Sequence, residues 1–181
     1  AMRGGATMHF FLDTAFDVRK KKTDNDPSGI LACCKIGQQL FIYHAQKVWK
    51  TFPDLIAFLP DYCQTWGFNK RNSTLRIEPK ANGISVVQQL RASTDLNVTK
   101  TPTPTDSKAT RLSTCSPKVE CGRVVLVDGD WVEDFVEEVA GFPTQVHDEY
   151  VDILCYAIDH LLIRELELPN GLTKQMFNGI L

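Results

Sequence analysis

The order of strand-like and helix-like segments constrains the fold of this chain more than any other feature. Residues 9–16 (HFFLDTAF), 29–36 and 39–46 are apolar runs of strand length, and the Gly37-Gln38 pair is typical of a hairpin turn. After them, segments with helical spacing alternate with short strand-like segments. This order predicts an α/β fold in which three antiparallel strands are followed by parallel strands with helical crossovers.

The remaining elements follow from periodicity and from turn residues. Helices are predicted at 51–66, 82–93, 130–142 and 147–166, and strands at 73–79, 95–101 and 123–128. Pro60 is expected to weaken or kink the first helix. The Pro-, Thr- and Ser-rich region 101–122 is predicted to be a loop with one short helix around 107–115. The ribonuclease-H-like (RNase H-like) fold has this order, so a mixed sheet flanked by helices is the predicted architecture.

The size and charge of the chain bound its organisation and its partners. At 181 residues, with 43% hydrophobic residues and a formal net charge of −2, it suits one compact domain, which we place at 8–168. We interpret residues 1–7 as a leader or an expression remnant and residues 169–181 as a peripheral tail. The near-neutral charge argues against a protein that binds nucleic acid through bulk positive charge.

The cysteines and the hydropathy pattern indicate the compartment. The chain has six cysteines, several of them in apolar runs such as ILACCKI, where cysteine usually acts as a small buried hydrophobe. There is no CxxC pair to suggest zinc or a redox motif. We find no apolar run of roughly 18–20 residues and no signal-peptide pattern. These features predict a reducing, cytoplasmic location and no membrane partner.

Two acids are placed unusually in predicted strands. Asp13 lies inside the first apolar strand, where an uncompensated buried carboxylate costs several kcal/mol. Glu78 closes the strand STLRIEP, just before a proline that stops sheet pairing. An edge position or a surface turn would explain each one separately. The alternative is that both are metal ligands at one edge of the sheet.

A third group of acids opens the last predicted helix, in HDEYVD (147–152). Asp148 and Asp152 are four residues apart, so their carboxylates share one helix face and repel each other unless a cation lies between them. Glu149 points about a hundred degrees away. The preference of acids for helix N-termini explains Asp148 and Glu149 well, but it explains Asp152 poorly.

These acids together point to a particular chemistry. Carboxylate oxygens without a histidine or cysteine cluster suit Mg²⁺ or Mn²⁺ rather than zinc. Two such ions about 4 Å apart can activate a water and stabilise the leaving oxygen of a phosphodiester. A helix that begins near residue 82, with Lys80 beside it, could hold a phosphate. The RKKK run (Arg19, Lys20, Lys21 and Lys22) is either a solvated loop or a loop that contacts phosphates.

Three segments, taken in order, resemble the C-terminal nuclease domain of tailed-bacteriophage terminase large subunits. They are FLDTAF…DPSG, RIEPKANGISVVQQL and FPTQVHDEYVDILCYAIDHLL, and the likeness covers roughly residues 9–163. In that family a first-strand Asp, an "iE-x-K-x-x-G" segment and an "HDD-x-x-D" helix start recur in this order. Glu149 departs from the pattern, because the family more often has Asp there.

The resemblance implies specific roles. Asp13, Glu78, Asp148 and Asp152 would be the catalytic metal ligands for two Mg²⁺ or Mn²⁺ ions, although Glu149 could replace one of the helix-side acids. Arg19, Lys20, Lys21, Lys22 and Lys80 would contact DNA. The implied activity is an endonuclease that cuts concatemeric double-stranded viral DNA during packaging in the host cytoplasm, with an ATPase motor domain, a portal and a small terminase subunit as partners.

The sequence also leaves alternatives open. No G-x-x-x-x-G-K-[ST] loop is present, so no ATP site is expected in this chain. A Holliday-junction resolvase or integrase-like nuclease would use the same fold and the same acids. In a non-catalytic packaging-assembly module, the acids would be surface charges only.

Overall fold

The computed structural model describes residues 6–14, 27–80 and 83–164. The strands in these ranges are β1 (Met8–Asp13), β2 (Ser28–Ile36), β3 (Gln39–Val48), β4 (Thr74–Ile77), β5 (Val98–Lys100) and β6 (Val124–Leu126). The helices are α1 (Phe52–Thr65), α2 (Gly83–Ser93), α3 (Lys108–Glu120), α4 (Val132–Gly141) and α5 (Glu149–Ile158). A π-helical segment, Asp159–Arg164, continues α5. The termini 1–5 and 165–181, and therefore most of the predicted leader and the whole tail, lie outside the described residues.

All six described strands form one mixed sheet in the order β5-β4-β1-β2-β3-β6. Strand β2 is antiparallel to both β1 and β3, whereas the β1–β4, β4–β5 and β3–β6 pairs are parallel. The predicted RNase H-like mixed sheet with an antiparallel start is confirmed. Five of the strands therefore end at the same edge of the sheet, where side chains from distant parts of the sequence can meet.

Two hydrophobic layers cover the faces of the sheet, because alternate strand residues point in opposite directions. Phe10 and Leu12 of β1 pack with α1 and α2 on one face. Phe11 of β1 and Leu31 of β2 pack with α3, α4 and α5 on the other face. Asp13 has the same parity as Phe11, so it faces the side of the sheet that α5 covers.

Helix α1 lies within the predicted 51–66, whereas α3 differs from the prediction. Pro60 lies inside α1, where the fully buried Leu55, Leu59 and Cys63 pack in the core. Helix α3 is longer than the predicted 107–115, and it runs through Pro117 to Glu120. Its buried Cys115 packs against the cluster around α5, so tertiary contact extends it beyond what its polar sequence predicted.

The hairpin and the other strands follow the prediction closely. Gly37 has a φ of 60° in the β2–β3 turn, which is a conformation that glycine adopts without strain. Helix α1 begins at Phe52 because the Thr51 hydroxyl accepts a hydrogen bond from the Asp54 N–H. In the described part of the chain, no helix is long and apolar enough to cross a membrane.

Candidate active site

Asp13 and Glu78 lie side by side at the end of two neighbouring parallel strands. Leu12 pairs with Ile77 in register, and the Glu78 N–H donates to the Leu12 carbonyl at 3.1 Å. Burial raises the pKa of Asp13 well above its usual range, and a hydrogen bond to Glu78 raises it further. Burial would also raise the pKa of Glu78, but hydrogen bonds from Asp13, Lys80 and Tyr156 outweigh it and lower that pKa. The hydrogen bond between the two carboxyls therefore raises the pKa of Asp13 and lowers that of Glu78.

Gly83 lets the start of α2 approach Glu78. A Cβ atom at residue 83 would lie 3.1 Å from the Glu78 carbonyl carbon and closer still to its oxygen. The Gly83 N–H donates to the Lys80 carbonyl at 2.8 Å, which closes the turn after β4. The glycine of the E-x-K-x-x-G segment is thus required by a close backbone approach that fixes Glu78.

The start of α5 approaches the sheet at another glycine. Gly29 pairs with Asp13 across β1 and β2, and a Cβ atom on it would lie 3.0 Å from the Glu149 Cβ. The Tyr150 N–H donates to Glu138 Oε1 at 2.6 Å, and that carboxylate is held by the Lys47 ammonium at 2.7 Å. These contacts fix the first turn of α5 beside the end of β1.

Asp148 and Asp152 share one face at this helix start, and a cation does lie between them. It is the ammonium of Lys108, at 2.6 Å from Asp148 Oδ1 and 2.5 Å from Asp152 Oδ2. The other oxygen of Asp152 accepts a hydrogen bond from Arg111 Nη2 at 2.5 Å. Burial lowers the pKa of Lys108, but the two carboxylates outweigh this effect and raise it.

Glu78 and Asp152, from two other elements, therefore lie within electrostatic reach of Asp13. The charge of Asp152 contributes to the raised pKa of Asp13, and the charge of Lys108 opposes it. Tyr156, one turn along α5 from Asp152, faces Glu78, and burial together with this carboxylate raises the pKa of its phenol. Asp148 lies just before α5 without making a capping hydrogen bond, and about half of its side chain is exposed.

Glu149 lies at the same helix start as Asp148 and Asp152. It is buried against Gly29, the residue that pairs with Asp13, and the ring of His147 is 3.7 Å from Glu149 Oε2. Burial raises the pKa of Glu149 to about 7, with a smaller contribution from the charge of Glu138. Asp152 differs from Glu149 in that both of its oxygens contact the cations of α3.

The predicted DNA contacts are only partly described. Arg19, Lys20, Lys21 and Lys22 lie outside the described residues. The Lys80 ammonium is 2.7 Å from Glu78 Oε1, and 55% of its side chain is exposed. Lys80 therefore lies at the solvent-exposed side of the acid group, where its ammonium contacts the Glu78 carboxylate.

Three further residues at the site were not predicted as site residues. Tyr156 has no signal in the sequence beyond its spacing from Asp152. Lys108 and Arg111 lie in the short helix predicted around 107–115, and in the structure their side chains contact Asp152. The sequence of α3 could have indicated this contact. Cations in the first turn of a helix oppose its dipole and are therefore expected to pair with a nearby anion.

The donor set fits a hard divalent cation. Asp13 and Glu78 supply carboxylate oxygens at two neighbouring strand ends, and Glu78 Oε1 is buried with the Lys80 ammonium 2.7 Å away. Among residues 6–14, 27–80 and 83–164, no three His, Cys, Asp or Glu side chains converge closely enough to hold an ion as they stand. Both oxygens of Asp152 contact cations of α3, so Asp152 must exchange one of these contacts to bind a metal ion.

Comparisons with known proteins agree with this geometry. The sequence profile of the terminase RNaseH-like domain family matches residues 13–161. The human cytomegalovirus terminase nuclease domain has a similar structure, with a TM-score of 0.58 and 19% identity over 88% of this chain and 87% of that one. The large terminase nuclease of the thermophilic phage G20c, crystallised with bound magnesium, has a TM-score of 0.61 and 18% identity over 86% and 82%.

A longer protein of known structure also contains a similar fold. The large terminase of a thermophilic bacteriophage matches with a TM-score of 0.67 and 11% identity, over 90% of this chain but only 41% of that chain. No curated protein matches the sequence significantly. At these identities the structural likenesses show the fold.

Proposed function

The chain belongs to the terminase RNaseH-like domain family, and from this we propose that it is a packaging nuclease that cuts concatemeric double-stranded viral DNA with the help of divalent cations. The observation that carries the proposal is that Glu78, at the end of β4, and Asp152, on α5, both lie within electrostatic reach of Asp13 on β1. Three carboxyls at one edge of a sheet are costly to bring together unless positive charge offsets them.

Asp13, Glu78 and Asp152 would hold the cations, with Asp148 as an outer ligand. Two Mg²⁺ or Mn²⁺ ions at such a site supply an activated water and stabilise the leaving oxygen of a phosphodiester. The G20c relative was crystallised with magnesium, which supports a hard cation here.

The chain's own residues position the acids. Burial and the neighbouring Glu78 raise the pKa of Asp13, and a bound cation would offset this effect. The Tyr156 phenol faces Glu78 from α5. Gly83 and Gly29 let two backbones come close to the acids, which holds the group in place without flexible linkers.

Positive side chains around the acids would hold the DNA backbone. Lys80 is half exposed beside Glu78, and Arg19, Lys20, Lys21 and Lys22 follow β1 in the sequence. Contacts of this type position a duplex without reading its sequence, so low sequence specificity is expected. An ATPase motor domain, a portal and a small terminase subunit remain the proposed partners, and no ATP site is proposed in this chain.

Plasmid cleavage tests the proposal. We expect the purified chain to nick or cut supercoiled plasmid with Mn²⁺ or Mg²⁺ and to stop when EDTA is added. Asp13→Asn and Glu78→Gln should each lower the rate by at least about a hundredfold, since each removes a ligand charge. Asp95→Asn is the matched control, because Asp95 is 89% exposed and pairs only with the surface residue Lys70.

The outcome also distinguishes the alternatives. Equal cleavage by wild type and Asp13→Asn would refute the proposed site. Strong preference for four-way junctions over linear duplex would indicate a resolvase. Absence of both cleavage and cation-induced thermal stabilisation would indicate an assembly module.

A further inference from the structure

Helix α3 carries its cations at the end where they are least favourable. It begins at Lys108 after the Ser107 cap, and its first turn contains no acid. Cations near a helix N-terminus oppose the dipole and the unpaired N–H groups there. Lys108 and Arg111 are nevertheless both partly buried at this end, with 21% and 14% of their side chains exposed. Their partners must therefore explain their placement.

The partners are the helix-side acids of the candidate site. The Lys108 ammonium contacts Asp148 Oδ1 and Asp152 Oδ2 at 2.6 and 2.5 Å, and it also donates to the Asp148 carbonyl at 3.1 Å. All three contacts of this ammonium are thus made with α5 and its cap. Arg111 donates to the second oxygen of Asp152, and its guanidinium lies 5.4 Å from the centre of the Tyr156 ring.

We infer that Lys108 is a positioning residue that competes with a divalent cation for Asp152 and thereby sets the cation affinity of the site. The inference rests on the proposed function, because it assigns a role at the same site. An ammonium and a divalent ion cannot both be bonded to Asp152 Oδ2 at close range, since like charges repel strongly in a partly buried site. Cation binding at Asp152 must therefore displace Lys108.

Displacement of the Lys108 ammonium would change the contacts at the start of α5. The Lys108 ammonium keeps Asp148 and Asp152 together before a cation arrives, so it stabilises the first turn of α5. After displacement the same ammonium is released at the edge of the site, where it can contact a phosphate of the substrate. Arg111 retains its bond to Asp152 Oδ1, so the acid stays anchored while its other oxygen changes partner.

Mn²⁺ binding to neutral variants tests the inference. Lys108→Met and Lys108→Gln should bind Mn²⁺ at least about tenfold more tightly than wild type in calorimetric titrations, because a competing unit charge is removed. In EDTA both should unfold at a lower temperature than wild type, and Mn²⁺ should raise their unfolding temperature by more than it raises that of wild type. Lys108→Arg retains the charge and should bind Mn²⁺ close to the wild-type affinity.

Lys118→Met is the matched control, since it removes the same charge from the last turn of the same helix. It should leave Mn²⁺ affinity within about twofold of wild type. Unchanged or weaker Mn²⁺ binding in both neutral Lys108 variants would overturn the inference and leave the proposed function intact. A wild-type chain that binds no Mn²⁺ would overturn both.

A footprint on the wild-type chain gives a second measurement that needs no variant. Amine-selective labelling read by mass spectrometry should modify Lys108 slowly in EDTA and several-fold faster with saturating Mn²⁺. Labelling of Lys118 should not change. A Lys108 labelling rate that Mn²⁺ leaves unchanged would contradict displacement, even if the variants bind the ion tightly.

Discussion

Replacing Gly83 with alanine tests how the fold positions Glu78. The new Cβ would lie 3.1 Å from the Glu78 carbonyl carbon and closer to its oxygen, well inside the 3.5–4.0 Å of an ordinary carbon contact. The start of α2 must then move away by roughly an ångström. Val86, Val87 and Leu90 of this helix are fully buried, so the shift disturbs the core as well.

The expected loss of stability follows from this geometry. Overpacking against a fixed group costs about 1–3 kcal/mol, and the lower unfolded-state entropy of alanine returns about 0.4–1 kcal/mol. A net loss of about 1–2 kcal/mol corresponds to a fall of roughly 2–8 °C in Tm for a chain of this size. Mn²⁺ affinity should fall too, because Glu78 moves with the turn.

Differential scanning calorimetry and a Mn²⁺ titration measure the two effects. Gly141→Ala is the control, since its Cβ would meet only the flexible side chain of Gln145, and alanine is a better helix former. We expect its Tm to equal or exceed that of wild type. A Gly83→Ala chain with wild-type Tm and wild-type Mn²⁺ affinity would refute the claim that this close approach fixes Glu78.

Three further outcomes are expected. Lys47→Met should lower the free energy of unfolding by about 2–4 kcal/mol in urea titrations, because Glu138 would remain buried without its cation. The control Lys70→Met removes an exposed ion pair and should change the free energy of unfolding by under about 0.5 kcal/mol. Burial lowers the pKa of His44 below 6.5, so the unfolded chain binds more protons than the folded chain near this pH. The free energy of unfolding should therefore fall as the pH drops through 6.5, and His44→Gln should flatten this pH profile. Asp13→Asn should raise Tm in EDTA, because burial and the neighbouring Glu78 make a carboxylate at this position unfavourable. The variant should also show no increase of Tm with Mn²⁺. A lower Tm in EDTA would argue against strain between Asp13 and Glu78.

The sequence by itself determined the order of the elements and the three groups of acids. The apolar runs of strand length and the turn glycine at residue 37 predict the hairpin, because these signals act between near neighbours. Asp13 and Asp152 were recognisable because a carboxylate is costly in an apolar segment. The same local reasoning underestimated α3, since its length depends on packing against α5.

Only the tertiary structure decided which charges meet. The parallel pairing of β1 and β4 brings Asp13 and Glu78 together across 65 positions of sequence, and the close approach at Gly29 holds the start of α5 beside them. The spacing of Asp148 and Asp152 required a cation between them but could not name it. In the folded chain it is Lys108, forty residues upstream of Asp148, because the crossing of α3 over α5 sets that contact.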